Sequence, residues 1–281
     1  LKKLKVKTKK PNLNDWKRVV KGKLLPEKEV NVSFVGKYTE LKDSYKSINE
    51  ALEHAGIQNK AKVNINFVEA EEITSKNVKK ILKNADAILV PGGFGERGVE
   101  GMIFACKFAR ENNIPYLGIC LGMQVAIIEY ARNVLKLKAA NSTEFDPTTK
   151  FPVIGLITEW NDMSGKKEKR HKNSDLGGTM RLGGQICKLK KSSNSHKMYK
   201  TNKIVERHRH RYEVNPKYKD QMIKMGLDVV GTSIDDKLVE MIEIPKHKWF
   251  LACQFHPEFT SNPRDGHPIF NSYIKSTITK K

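Results

Sequence analysis

Apolar positions in the first half of the chain alternate between two spacings. Residues 30–36 set Val30, Val32 and Phe34 at every second position and read as a strand, whereas Ile48, Ala51, Leu52 and Ala55 share one face of a helix expected over 45–55. The alternation repeats, with a strand at 63–68, a helix at 75–84 and a short buried strand at 87–90. It continues with a helix at 101–112 carrying Met102, Ile103, Ala105, Cys106 and Ala109, and a strand at 114–119. A helix at 121–134 is apolar on most faces, as expected of one buried in the middle of the fold. Strands alternating with helices predict an α/β protein with a mostly parallel sheet.

The second half has a different texture. Runs at 154–159, 179–190, 204–214, 229–233, 238–244 and 249–255 read as added antiparallel strands, interrupted by a basic loop at 166–172 and closed by a helix at 268–278. Residues 1–29 lack a sustained apolar pattern and read as an interdomain linker with one short helix. Their Lys-rich opening at Leu1 suggests a linker entered partway, so the domain proper is expected over 30–281. A 281-residue chain with 38% hydrophobic and 30% charged residues can bury one large core.

The net charge of +21 raises nucleic acid or an anionic membrane as partners. The lysines are scattered, however, and no helix-turn-helix, finger or RNA-binding pattern accompanies them, so a solvated surface is the expectation. Cys106, Cys120, Cys187 and Cys253 form no C-x-x-C pair, and no secretory pattern or long apolar span is present. A reducing, cytoplasmic setting is expected.

Candidate chemistry gathers at Gly118-Ile119-Cys120-Leu121-Gly122, which leads from a strand into a helix. The flanking glycines permit a sharp turn that lifts Cys120 to the carboxyl end of the sheet and onto a helix N-terminus, where the macrodipole favours thiolate. The plainer reading, a buried Cys acting as a small hydrophobe, suits Cys106 and Cys253 better. Phe255-His256-Pro257-Glu258 follows another apolar strand and supplies a base with an orienting carboxylate, two residues apart in extended backbone. Alone it would read as a loop His beside a surface Glu. Pro91-Gly92-Gly93 follows the strand at 87–90, so the amides of Gly93 and Leu121 are candidate oxyanion donors. A phosphate-binding loop is the rival there, but neither of its glycine patterns is complete.

Together these stretches resemble class I (triad) glutamine amidotransferase domains. Asn141-Ser142-Thr143-Glu144-Phe145, the stretch 174–183, the stretch 206–213 and Gln254-Phe255-His256-Pro257-Glu258-Phe259 are similar to the C-terminal glutaminase half of the CTP synthases, a likeness running from about residue 30 to the end. The resemblance implies a three-layer fold with helices on both faces of the sheet. It also implies Cys120 as nucleophile with His256 and Glu258, and L-glutamine contacts from Gly93, Leu121, Gly122, Met123, Gln124, Glu144 and Arg211. A Glu suits the substrate ammonium and an Arg its carboxylate.

The implied activity is hydrolysis of glutamine to glutamate and ammonia through a Cys thioester, the ammonia serving ATP-dependent amination of UTP to CTP. This domain would need no cofactor or metal. His208 and His210 lack further ligands beside them in sequence. ATP, UTP and Mg²⁺ are implied for a P-loop synthetase half outside these 281 residues, with GTP as activator and a homo-oligomer formed through that half; no nucleic acid or membrane is expected. The rival functions are a triad amidotransferase serving another acceptor and a catalytically silent basic binding module on the same fold.

Overall fold

The computed structural model describes residues 3, 11–156, 159–161, 167–169 and 180–278, so residues 174–179 of one family-like stretch and most of the basic loop lie outside the described residues. Nine strands form one sheet. Its parallel part contains β1 (Lys28–Gly36), β2 (Ala61–Glu69), β3 (Ala87–Val90), β4 (Tyr116–Ile119) and, from the far end of the chain, β14 (Phe250–Cys253), in the order β14-β4-β3-β1-β2. The antiparallel part extends it through β13 (Val239–Glu243), β12 (Asp228–Ser233), β9 (Arg181–Leu189) and β10 (Lys203–His210). The expected antiparallel ribbons therefore continue the parallel sheet. A separate three-stranded sheet joins β5 (Ala140–Ser142), β6 (Phe151–Leu156) and β11 (Tyr212–Val214), and a short hairpin pairs β7 (Glu159–Asn161) with β8 (Lys167–Lys169).

Helices cover both faces of the large sheet. On one side α4 (Val99–Glu111) and α5 (Leu121–Asn133) pack with Ile88, Val90 and Tyr116; on the other, α2 (Lys46–Asn59) and α8 (Pro268–Ile278) pack with Leu89, Leu117 and Ile119. Alternation within the short strands sends successive side chains to opposite cores, which is why those strands are apolar throughout. Among the described residues no helix is long and apolar enough to cross a membrane.

Several elements differ from expectation. The helix expected at 75–84 shrinks to one turn, α3 (Val78–Ile81), because Asn77 ties down the preceding loop: its Oδ1 accepts from Thr74 N at 2.7 Å and its Nδ2 donates to Glu72 O at 2.8 Å. The one short helix expected within residues 1–29 is α1 (Asn14–Leu24), which rests on α2 and buries Val19. Two helices lie where none was expected. In α6 (Asn194–Tyr199) Ser193 caps the N-terminus, and in α7 (Pro216–Lys224) Asn215 caps and Pro216 opens the first turn.

The run at 204–214 is two strands rather than one. It breaks at Arg211, with β10 in the large sheet and β11 in the small one. Beneath the break lies a buried charged cluster. Arg181 Nη1 stands 3.1 Å from Glu213 Oε1 and 2.6 Å from Glu240 Oε1, His208 Nδ1 stands 2.9 Å from His210 Nε2, and His210 Nδ1 lies 3.5 Å from Glu213 Oε1. Burial, with repulsion from Glu240, lifts the Glu213 carboxyl to about 8 against the pull of Arg181. Burial, then the charge of Arg181, depresses the His208 imidazole well below its ordinary value.

A raised carboxyl value means that the fold favours protonated Glu213. Its contribution to stability is therefore whole below about pH 4.5 and is lost as pH rises to about 8. Glu213→Gln should flatten that part of the profile. Urea unfolding at pH 5 and pH 8 should show a smaller loss of stability in the variant than in the parent, by on the order of a few kcal/mol; parallel profiles would assign the titration to another group.

Candidate active site

The site sits where β3, β4 and β14, neighbours in the parallel part of the sheet, release their carboxyl ends side by side. β3 leads into Pro91-Gly92-Gly93, β4 into Cys120, and β14 into Gln254 and His256. Cys120 is buried, with φ 53° and ψ −101°, a conformation rare for a side-chain-bearing residue. The backbone around it is fixed from three directions. Its N–H donates to Cys253 O at 2.7 Å, its carbonyl accepts from Met123 N and Gln124 N, and Tyr116 Oη donates to Gly122 O at 2.9 Å.

His256 Nδ1 bonds Glu258 Oε1 at 2.8 Å, which leaves Nε2 for Cys120. Burial alone would push the His256 value down. The negative charge of a Cys120 thiolate and the hydrogen bonds to Cys120 and Glu258 outweigh it and lift the imidazole to about 10. Around neutral pH this geometry favours the protonated imidazole. The backbone differs from expectation here, since Glu258 lies not in extended chain but in a 3₁₀ turn, Pro257–Thr260, opened by its proline. That turn folds the carboxylate back against the imidazole.

The glycine turn is equally constrained. A Cβ on Gly92 would stand 2.8 Å from His256 Cε1 and 3.4 Å from Cys120 Cβ, so Gly92, named in the sequence only as part of the Pro91-Gly92-Gly93 turn, is the glycine that the close approach requires. A Cβ on Gly93 would meet Leu121 Cδ2 at 3.2 Å. Lys37, only 2% exposed, braces the turn by donating from Nζ to Phe94 O at 2.9 Å and also to Gly95 O. Glu144 ties it from the other side, accepting from Gly95 N at 2.8 Å. Burial raises the Glu144 carboxyl, partly offset by that bond and by Lys37 and Arg211.

The remaining expected residues are distributed around this centre. A cavity of about 230 Å³ is bordered by Gly92, Gly93, Phe94, Cys120, Arg209 and His256. The guanidinium groups of Arg209 and Arg211 stand 5.8 and 5.9 Å from the centre of the Phe94 ring. The Met123 side chain lies wholly in the core, and Gly122 presses its backbone on β3. Gln124 Nε2 donates to Tyr212 O at 3.2 Å and to Gln254 Oε1 at 3.5 Å. Sequence reasoning missed Gln254, Lys37, Phe94 and Arg209 as site residues. For Gln254 the signal was available, because strand periodicity puts 254 and 256 on one face. Among the described residues no set of three His, Cys, Asp or Glu side chains converges as metal ligands would.

The model of the class I glutamine amidotransferase family matches residues 40–276. Among solved structures, the glutaminase domain of Trypanosoma brucei CTP synthase with bound acivicin aligns at 39% identity and a TM-score of 0.81, covering 90% of this chain and 95% of that one. A ThuA-like protein from Parabacteroides merdae aligns at 11% identity over 80% of this chain and 79% of its own, with a TM-score of 0.42, too loose a likeness to carry an argument.

Gly92→Ala should displace the imidazole from the sulfur while leaving the core intact. Glutamine hydrolysis should fall by roughly a hundredfold with the Tm little changed; an undiminished rate would show that the ring tolerates the methyl group.

Proposed function

Since the chain belongs to the class I glutamine amidotransferase family, we propose that it hydrolyses the side-chain amide of L-glutamine with Cys120 as nucleophile. The observation that carries this reading is the His256–Glu258 contact of 2.8 Å beside a buried Cys120, all on the converging ends of parallel strands. Glu144 would meet the substrate ammonium with its free carboxylate oxygen, and Arg211 would pair with the carboxylate.

In the first step Cys120 Sγ bonds to the amide carbon, and the carbonyl electrons move onto oxygen. The N–H groups of Gly93 and Leu121 would hold that oxyanion. His256 passes its Nε2 proton to the departing nitrogen, the C–N bond breaks, and ammonia leaves a thioester behind. In the second step neutral His256 takes a proton from water, whose oxygen attacks the thioester carbon. The C–S bond breaks, glutamate departs, and the thiolate–imidazolium pair is restored.

Similarity to the CTP synthase glutaminase domain supports a finer reading, in which the ammonia feeds ATP-dependent amination of UTP by a synthetase unit. ATP, UTP and Mg²⁺ belong to that acceptor chemistry and GTP to its activation; no residue described here is assigned to any of them.

The reading is tested by ammonia and glutamate release from glutamine. Cys120→Ser should abolish both, and retained turnover would exclude Cys120 as the nucleophile. Arg211→Ala should raise the glutamine KM by about tenfold or more with a smaller change in kcat, as expected for a contact made equally in ground and transition states; an unchanged KM would take Arg211 out of the pocket.

A further inference from the structure

Three polar groups surround the Cys120 sulfur, and they favour different protonation states. His256 offers its ring nitrogen. Arg209 O, at 3.9 Å, is a carbonyl that can only accept, so it suits a thiol S–H and repels a thiolate. Gln254 Nε2, at 3.7 Å, can only donate, so it suits the thiolate.

The orientation of the Gln254 amide follows from its neighbours. Tyr212 O can only accept, so the Gln124 amide must turn its NH₂ toward it. The same NH₂ faces Gln254 Oε1, which leaves Gln254 Nε2 for the sulfur. Gln254 is 0% exposed, and its backbone N–H is held by Glu240 O at 2.8 Å. No water competes for its donor, and its side chain cannot swing aside without breaking this chain of bonds.

We infer that Gln254 is a further catalytic residue, a buried donor that holds the Cys120 sulfur as thiolate against the opposing carbonyl of Arg209 and aims it at the substrate carbon. The inference rests on the reading of Cys120 as nucleophile. It supplies a donor that stays in place while the His256 proton moves and that faces the sulfur again when the C–S bond breaks and the negative charge returns to it. It also links the segment bearing Arg211 to the nucleophile through Tyr212 O, Gln124 and Gln254.

The test is the pH profile of Cys120 alkylation by iodoacetamide in the full chain, read by mass spectrometry of the Cys120 peptide. Cys106, Cys187 and Cys253 are fully buried and do not border the cavity that Cys120 lines, so they serve as internal controls. Gln254→Met keeps the length of the side chain and removes the donor; it should move the alkylation midpoint upward and cut the rate at neutral pH by about tenfold, with convergence toward the parent rate in alkaline solution. Gln254→Glu keeps every heavy atom position and puts a carboxylate beside the sulfur, so its rate should fall further. With glutamine, kcat should drop while KM holds. Parent-like profiles in both variants, or a rate reduced by one factor at every pH, would overturn the inference. Should Gln254→Met fail to fold, the isosteric Gln254→Glu carries the test alone. Selective alkylation of the parent at a cysteine other than Cys120 would instead refute the nucleophile assignment, which keeps the two failures distinct.

Discussion

The site depends on how closely α5 lies against the strands. A Cβ on Gly122 would fall 2.1 Å from Val90 O, and one on Gly118 would fall 2.6 Å from Gly122 O, so the helix meets β3 and β4 backbone to backbone with no side chain between. Such contact leaves one route from β4 into α5, a turn so abrupt that Cys120 must take a positive φ. The conformation is unfavourable for a residue with a Cβ, of order 1–3 kcal/mol, and it persists because the buried helix and the Cys253 O bond overdetermine it. A side chain lifted this way projects beyond the sheet edge, where the loops after β3 and β14 already converge.

That placement dictates how the neighbouring loops are built. Since the sulfur stands at the strand ends, the turn after β3 must pass within contact distance of the imidazole, and Gly92 makes room for it. A glycine-rich turn is floppy on its own. Here Lys37 binds its carbonyls from one side and Glu144 its amide from the other, so a buried lysine and a half-buried glutamate hold a segment that has few side chains of its own. The price of that bracing is visible in both groups, because burial lowers the lysine and raises the glutamate from their ordinary values.

Much of this was legible before any coordinates. The strand at 87–90 and the helices at 121–134 and 268–278 were readable from short apolar runs and helical spacing, and the grouping of Cys120, His256 and Glu258 was readable because glycine flanks, a strand end and a His-x-Glu step are local patterns. What escaped was set by partners distant in sequence. Lys37 looks like one more lysine in a chain rich in them, and only the fold carries it to the turn at Phe94. Gln254, just past β14, shares a face with His256 by strand period, yet only the pairing of β14 with β4 brings Cys120 beside it. The turn that holds Glu258 depends on contacts outside the His-Pro-Glu step, including the bond from Thr260 Oγ1 to Glu206 Oε2 at 3.0 Å. The helix at 75–84 failed for the opposite reason, since local side-chain bonds from Asn77 defeated an apolar spacing that favoured helix.

The Arg207-His208-Arg209-His210-Arg211 run shows why a charged pattern can be structural and functional at once. Strand alternation turns His208 and His210 inward and Arg207 and Arg209 outward, and at Arg211 the chain leaves the large sheet for the small one. Buried polar contacts such as those of Arg181 with Glu240 and with the carboxyl of Glu213 add little net stability, because desolvation consumes most of their attraction. What they add is geometry. Arg181 comes from β9, Glu240 from β13 and Glu213 from β11, so the cluster fixes the small sheet to the large one at the point where Arg211 emerges. An apolar plug could fill that space, but it would supply no directional bonds between β11 and the large sheet. A fork of hydrogen-bonding groups tolerates one register only, and in that register Tyr212 O meets Gln124 while Arg209 and Arg211 reach the Phe94 side of the cavity.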